Sequence, residues 1–283
     1  MEDLGTLVGQ AWQEPVWALP HVVGRGVLSL LSGPPGIGKG WWLQGLPRAM
    51  QDGTTFYGLP TRRLRVLWAT EEGASLARTA RRFGIQPGQV AILRRDRVPG
   101  RTWPELVKAL RREAAKRQCG LVVIDTVRAW VPGAEQTPEQ AMAAMAPVRT
   151  ELTEPGLAVL VVHHARKGGG EHGEGVAGTN ALVGAVDILI ELHRVKGRPD
   201  ARRMVTSRRF EPLDITATLH GHRYLADGEP AEAVVPEPER QYLRSPGWAT
   251  RRAAILARAA GRCERCGAGA PAEVHHRSYA RLG

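Results

Sequence analysis

Residues 33–40 read GPPGIGKG and follow directly after the apolar run VLSLLS of residues 27–32. The eight residues fit the pattern G-x-x-x-x-G-K-[ST] at every position except the last, where Gly40 stands. Between a strand and a helix, such a turn directs successive backbone N–H groups and the helix N-terminus towards one point, which suits phosphate. The sequence therefore predicts a phosphate-binding loop in which Lys39 reaches the β- and γ-phosphates of a nucleotide. A Gly- and Pro-rich turn without a ligand is the alternative.

The missing hydroxyl at position 40 bears on how a metal ion is held. A Ser or Thr in this place normally supplies an oxygen to Mg²⁺. Without it, the metal must rely on water and on Asp125, which closes the apolar run LVVID of residues 121–125. We therefore expect ATP and Mg²⁺ as ligands, with a weakened hold on the metal. The residues predicted to bind the nucleotide are Gly33, Pro34, Pro35, Gly36, Ile37, Gly38, Lys39, Gly40 and Trp41.

Two acidic residues follow another apolar run. Glu71 and Glu72 come directly after RVLWAT, residues 65–70. A carboxylate at the end of this strand could orient or deprotonate an attacking water molecule. A solvated pair of surface carboxylates is the alternative.

A pair of histidines closes a third run. His163 and His164 end the stretch LAVLVVHH, and Arg166 and Lys167 follow them. A polar side chain here could sense the γ-phosphate and relay its loss to the adjoining loop. Strand-end histidines without such a role are one alternative. A metal site is another, although neighbouring residues of a strand point to opposite faces of the sheet.

Short runs rich in Val, Ile and Leu alternate with helical patterns along the chain. Runs such as residues 27–32 and 121–125 are continuously apolar, which is typical of strands buried on both faces. A helix that begins at Gly38 is expected to be shortened or kinked by Pro47. Residues 204–225 alternate in polarity and predict antiparallel strands at a sheet edge. The sequence therefore predicts an α/β fold, a mostly parallel sheet with helices on both faces.

The 283-residue chain has a net charge of +11 that is unevenly distributed. Residues 240–283 contain nine Arg and two Glu, so +7 of the excess lies there. Such a basic stretch favours polyanions, nucleic acid above all. A GC-rich genome explains why Arg outnumbers Lys by 34 to five, but it does not explain the clustering. We therefore expect DNA as a partner.

Signals for export or for a membrane are not evident in the sequence. The first ten residues are acidic and lack the basic start of a secretory signal. No apolar run approaches the roughly 18 residues of a membrane span. The three cysteines, Cys119, Cys263 and Cys266, do not suggest a secreted disulfide framework. We expect a soluble, cytoplasmic protein without a membrane partner.

The order of these motifs resembles that of RecA-like ATPases of the replicative-helicase and RepA type, often grouped as an AAA family. The shared pattern runs from the loop at Gly33–Gly40 through Glu72 and Asp125–Thr126 to His163–Lys167, and then to Gly178–Thr179. The resemblance implies a RecA-like P-loop fold, ATP hydrolysis with magnesium, and a role in DNA unwinding or replication.

The same resemblance implies roles for individual side chains. Lys39 contacts the phosphates, and Asp125 holds magnesium. Glu72 takes the position of the catalytic carboxylate in preference to Glu71, and His164 takes the position of the γ-phosphate sensor.

The resemblance covers residues 15 to about 222 and implies an assembly. Ring-forming relatives carry an arginine finger for the neighbouring subunit where this chain has SRRF. Arg209 is the implied finger, with Arg208 as the second candidate. A hexameric ring with nucleotide between its subunits follows from the same likeness.

The C-terminal stretch of residues 262–283 resembles the first half of an HNH endonuclease. Cys263 and Cys266 have the spacing of a zinc ligand pair, but zinc needs four ligands and a second Cys pair is missing. By the resemblance, His275 would bind the catalytic metal and His276 would act as general base. Because the unit is incomplete, we expect no nuclease activity; a remnant without function is the alternative.

These interpretations divide the chain into three parts. They are a RecA-like ATPase domain at 1–225, a Pro/Glu-rich linker at 226–247 and a partial HNH-like zinc-knuckle segment at 248–283. The leading hypothesis is an ATP-hydrolysing motor or loader that acts on DNA. One alternative is an HNH endonuclease with an ATPase regulatory domain. The other, motivated by Gly40, is a nucleotide-binding regulator with weak hydrolysis.

Overall fold

The computed structural model describes residues 14–164 and 180–229, together with residues 250, 253–254 and 257–258. The chain divides into two compact units, residues 1–230 and 231–283. In the described part, none of the helices combines the length and the apolar character that crossing a membrane requires.

A nine-stranded sheet forms the centre of the first unit, with the strand order β13-β12-β11-β10-β3-β9-β8-β6-β7. The six strands from β10 to β7 run parallel, and β11, β12 and β13 continue the sheet antiparallel beyond β10. In chain order the strands are β1 (Trp17–Leu19), β2 (Val23–Gly24), β3 (Leu28–Ser32), β4 (Thr55–Phe56), β5 (Leu59–Pro60), β6 (Arg65–Thr70), β7 (Val90–Arg94), β8 (Cys119–Asp125), β9 (Ala158–Val162), β10 (Ile188–Val195), β11 (Arg198–Arg208), β12 (Asp214–His220) and β13 (Arg223–Ala226).

The helices begin and end at residues with clear local causes. Thr102 caps α3 in a capping box with Glu105, and the Thr137 hydroxyl caps α5. Gly84, in the left-handed conformation, ends α2. The helices are α1 (Lys39–Asp52), α2 (Ala74–Phe83), α3 (Trp103–Arg117), α4 (Val127–Trp130), α5 (Pro138–Val148) and α6 (Asn180–Gly184).

Helices cover both faces of the sheet, which confirms the predicted α/β class. Along β3, Leu28 and Leu30 pack into one core while Leu31 packs into the other, because successive strand side chains alternate between faces. The first core contains residues of α1 and α2, and the second contains residues of α3, α4 and α5. The antiparallel edge expected near the end of this unit is also present.

Pro47 does not shorten α1, and the predicted alternative, a kink at Pro47, stays a prediction. The helix continues past Pro47 to Asp52. Proline removes one backbone donor from the helix. Leu43, Leu46 and Met50 are nevertheless buried in the core on either side of it, so tertiary packing offsets the lost hydrogen bond.

Strand β9 lies between β3 and β8, and the parallel register aligns the carboxyl ends of β3, β9, β8 and β6. Leu31 pairs with Val162, Val162 with Asp125, and Asp125 with Thr70. The residues that follow these four positions therefore leave the sheet at one level. Those residues begin the glycine-rich loop, the histidine pair, the turn after Asp125 and the glutamate pair.

A buried carboxylate lies at the other end of the parallel strands, where β3 and β10 begin. Asp187 precedes β10 and accepts a 2.9 Å hydrogen bond from the backbone N–H of Leu28, the first residue of β3. The guanidinium groups of Arg149 and Arg209 also donate to it, at 3.3 and 2.7 Å. Two cations thus compensate one carboxylate that is only 6% exposed.

Candidate functional site

The loop of residues 33–40 has the backbone conformation of a cradle. Gly36 and Gly38 have φ angles of 71° and 103°, in the left-handed region where a side chain would be strained. Gly38 precedes the first turn of α1, and its carbonyl accepts hydrogen bonds from the N–H groups of Trp41 and Trp42. The loop therefore ends at a helix N-terminus, where unpaired N–H groups attract phosphate.

The ammonium group of Lys39 lies folded against the loop. It donates to the carbonyl of Gly33 at 2.6 Å and to that of Pro34 at 3.3 Å. Burial lowers the pKa of Lys39 to about 8, although the charge of Asp125 acts in the opposite direction. The cation is thus held near Asp125 in a place that would favour additional negative charge.

His164 is the histidine that reaches this cation. Its Nδ1 lies 3.2 Å from Nζ of Lys39. Burial and then the charge of Lys39 lower the pKa of His164, so Nδ1 of the neutral ring can accept a hydrogen bond from the ammonium. His163 is 1% exposed, whereas His164 is exposed, as expected for neighbours at a strand end. The structure therefore brings together Lys39 and the residue predicted as sensor.

Asp125 lies at the end of β8, half-buried. Burial and, second, the carboxylate of Glu72 raise the pKa of Asp125 to about 7, while Trp68 and Lys39 lower it. A partly desolvated carboxyl group beside another acid would gain from a divalent cation. Asp125 fits a magnesium ion for that reason, with further ligands from phosphate and water.

The two glutamates differ in their relation to Asp125. Both are exposed, but Glu72 raises the pKa of Asp125 more than Glu71 does, which indicates that Glu72 faces the site. The hydroxyl of Ser75, at the start of α2, donates to Oε2 of Glu72 at 3.1 Å. The backbone N–H of Glu72 donates to the hydroxyl of Thr70. These contacts orient the Glu72 carboxylate, the one favoured from the sequence.

Gly40 leaves space where the pattern G-x-x-x-x-G-K-[ST] has a hydroxyl. A Cβ atom added to Gly40 would meet nothing within 4 Å. Its φ angle is not in the left-handed region, so a side chain is compatible with the backbone. The backbone and the space at position 40 would therefore accept a Ser or Thr side chain, although Gly40 supplies no hydroxyl.

Two arginines, on β10 and β11, hold the loop, and no local feature of the sequence distinguishes them. Nη2 of Arg194, on β10, donates to the carbonyl of Gly36 at 3.2 Å. Nε of Arg202, on β11, donates to the carbonyl of Ile37. They are separated from the loop by 158 and 165 residues, so only the folded sheet shows them to be neighbours.

Arg209 does not contribute to the cradle of its own chain. Arg208 pairs with Ile188 at the start of β10, whereas the cradle contacts come from Arg194 near the end of that strand. Arg209 therefore lies near the amino ends of the parallel strands, away from the cradle at their carboxyl ends, and binds Asp187. Its predicted role as a finger for a neighbouring subunit stays a prediction.

Several predicted residues lie outside the described part of the chain. They are Arg166, Lys167, Gly178, Thr179, Cys263, Cys266, His275 and His276. The zinc knuckle and the HNH assignment therefore stay predictions. Within residues 14–164 and 180–229, no three His, Cys, Asp or Glu side chains cluster as a ready-made metal site.

This chain is similar to one known protein family and to a solved structure. A family model described as an AAA domain matches residues 7–170. A KaiC-like protein from the hyperthermophilic archaeon Pyrococcus horikoshii OT3 is similar in structure, with a TM-score of 0.52 and 15% sequence identity. The similarity covers 74% of this chain and 93% of that one, and it agrees with a RecA-like P-loop fold. No curated protein matches the sequence.

The space at Gly40 predicts the effect of restoring the hydroxyl. Gly40→Thr should tighten magnesium-dependent ATP binding about fivefold, the equivalent of about 1 kcal/mol, because it adds an oxygen ligand. Calorimetric titration with and without Mg²⁺ measures the change. Gly40→Ala is the matched control, since it also removes a glycine from the helix but adds no hydroxyl. Equal affinities for the Thr and Ala variants would contradict the prediction.

The pKa of Lys39 predicts a pH dependence of nucleotide binding. Phosphate binds the charged ammonium, and a lowered pKa of about 8 means that the nucleotide-free protein loses this charge as the pH rises through 8. ATP affinity should therefore fall about tenfold between pH 8 and pH 9.5, and binding should take up a proton in that range. Calorimetry in buffers of different ionisation enthalpy measures both effects. Lys39→Arg should remove the dependence, because a guanidinium does not titrate there.

Proposed function

This chain belongs to the AAA domain family, and from that membership together with the site we propose that it binds ATP with magnesium and hydrolyses the bond to the γ-phosphate. One observation carries the proposal. A buried lysine lies in a glycine cradle at the same sheet edge as an aspartate and a glutamate, on strands whose carboxyl ends are aligned.

Each residue has a role in the proposed reaction. Glu72 takes a proton from a water molecule whose oxygen attacks the γ-phosphorus. The bond between that phosphorus and the bridging oxygen breaks, and ADP leaves with the electron pair. Lys39 and the loop N–H groups stabilise the charge that develops on the β- and γ-phosphates. Asp125 would hold magnesium, which would supply positive charge to offset part of the negative charge on the phosphates.

His164 is the proposed sensor of the reaction. It contacts Lys39, the side chain that the γ-phosphate would engage. Binding of the phosphate would draw the ammonium away from Nδ1 of His164, and loss of phosphate would restore the contact. His164 directly precedes the glycine-rich segment 165–179, which is the part of the chain that would respond.

We propose that the ATPase works on DNA, as a motor or a loader associated with unwinding or replication. The charge of the chain supports a polyanionic partner, with nine Arg and two Glu in residues 240–283. Arginine contacts to phosphates would hold DNA without reading its sequence.

Assembly into a ring belongs to the same proposal. Arg209 lies at the edge of the sheet that faces away from its own cradle, so it could act only on a nucleotide bound to another subunit. Its partner Asp187 would keep Arg149 if Arg209 moved to a phosphate. An arginine finger of this kind is worth about 10³-fold or more in rate.

A second candidate function is a nucleotide-dependent regulator with weak hydrolysis. Gly40 favours it, because the metal lacks one ligand that catalysis normally uses. The endonuclease alternative has no such support, since its cysteines and histidines lie outside the described residues.

The assignment of Glu72 predicts a separation of binding from hydrolysis. Glu72→Gln should leave ATP affinity within about twofold and slow turnover about 10²-fold or more, because a carboxamide cannot accept the proton. Phosphate release and equilibrium ATP binding measure the two quantities. Glu71→Gln is the matched control and should change turnover little. A larger defect in the Glu71 variant would show that the two roles are exchanged.

The DNA hypothesis predicts that single-stranded DNA stimulates ATP turnover. At low salt, stimulation should exceed that by heparin of equal charge, and it should weaken as salt rises because phosphate contacts release counterions. Removing the second compact unit, residues 231–283, should reduce DNA affinity and its salt dependence while leaving basal turnover. Turnover that is insensitive to DNA would favour the regulator instead.

A further inference from the structure

A cavity of about 680 Å³ lies beneath α2, separate from the phosphate cradle. Its walls come from α1, α2, the turn that follows α2, strand β6 and the edge strand β7. Apolar side chains predominate, and the volume lies in the range of small-molecule sites. The apolar wall is formed by Trp68, Leu76, Ala77, Ala80, Ile85, Pro87, Val90 and Ile92.

Three polar atoms of the wall residues are buried without a hydrogen-bond partner within the described part of the chain. One of them, Nε1 of Trp68, belongs to a side chain that interacts with Asp125, and the other two lie on Gln44 and Arg94. Gln44, on α1, is 3% exposed, and its Oε1 is buried without a hydrogen-bond donor. Arg94, at the end of β7, binds Asp96 through Nη2, but its Nε is buried and has no acceptor there. A folded protein rarely leaves such groups unpaired. They therefore point to a ligand that brings one donor and one anionic acceptor.

The mouth of the cavity adjoins the proposed catalytic carboxylate. Glu72 and Gly73 form part of the lining, and the guanidinium carbon of Arg94 lies 3.6 Å from the place of a Cβ on Gly73. Trp68 lines the cavity and also interacts with Asp125. An occupant would thus contact the segment that positions Glu72 without contacting Lys39 or the loop.

We propose that this cavity is an effector site for a small, largely apolar molecule that carries one N–H or O–H donor and one anionic group. The anion binds the guanidinium of Arg94, the donor binds Oε1 of Gln44, and the apolar body packs between α2 and the sheet. Binding fixes α2 and the Glu72 segment and so changes the rate of hydrolysis. Only this effect on rate rests on the proposed ATPase function; the binding does not.

The dye 8-anilinonaphthalene-1-sulfonate is a suitable probe, because it combines two aromatic ring systems, an N–H group and a sulfonate. Titration of the full chain, followed by dye fluorescence, should show one saturable site per chain. Lys39→Ala should retain this site, so dye binding can be tested even if the protein hydrolyses no ATP. Magnesium-ATP should not displace the dye competitively.

Substitutions in the wall should remove the site selectively. Ala80→Trp fills the cavity and should weaken dye binding about tenfold or more, since apolar area and space are both lost. Ala77→Leu provides a milder filling variant if the tryptophan disturbs folding, as judged by circular dichroism. Arg94→Ala should weaken binding about tenfold by removing the charged partner of the sulfonate. Arg95→Ala is the matched control, because Arg95 is an exposed neighbour outside the lining.

Turnover supplies the second measurement. Saturating dye should lower kcat for ATP and leave KM unchanged, because the cavity and the cradle are separate. Absence of a saturable site, competition with ATP, or equal dye affinity in the wild type and in both the filling and Arg94 variants would overturn the proposal. Dye binding that responds to these variants without any change in kcat would retain the site and refute its effector role.

Discussion

Parallel pairing of β3, β9, β8 and β6 is the constraint on which the candidate site depends. The register places Leu31, Val162, Asp125 and Thr70 in one row at the carboxyl edge of the sheet. Backbone hydrogen bonds on both sides of each strand fix this row, so the residues that follow it have little freedom in position. The glycine loop, the sensor histidine, the aspartate and the glutamate are consequently assembled from segments far apart in sequence. Their chemistry is a property of the sheet edge as much as of the individual motifs.

Within that row, burial and charge oppose each other. Lys39 and Asp125 are both partly removed from water. Burial lowers the pKa of Lys39 and raises the pKa of Asp125, so it favours the neutral form of each side chain. The charge of each residue partly offsets the effect of burial on the pKa of the other. Nδ1 of His164 is a neutral hydrogen-bond acceptor for the ammonium group. A triphosphate with a divalent cation would complete this set, because it brings negative charge to the lysine and positive charge to the aspartate. The electrostatics of the site thus suit a ligand that carries both signs of charge.

The sequence predicted the parts of the molecule that local patterns encode. Continuous Val, Ile and Leu runs predicted the buried strands, and the glycine spacing predicted the loop, because each depends on residues that are adjacent in the chain. Arg194 and Arg202 could not be found in this way, since nothing in their local sequence distinguishes them from other basic residues of a charged strand. Pro47 misled for the opposite reason. Its local preference was clear, but the burial of Leu43, Leu46 and Met50 outweighed it. Tertiary packing decides where local rules and long-range contacts disagree.

Strand β11 has a mechanical consequence. Near one end, Arg202 is bonded to the phosphate loop, and just beyond the other end Arg209 is bonded to Asp187. The seven residues from Arg202 to Arg208 span about 20 Å of extended chain. Hydrogen bonds to β10 and β12 flank much of this length, so the strand resists stretching and bending like a strut. The strand therefore connects the phosphate loop and Asp187 stiffly. A displacement at one of these two sites would be transmitted to the other with little loss.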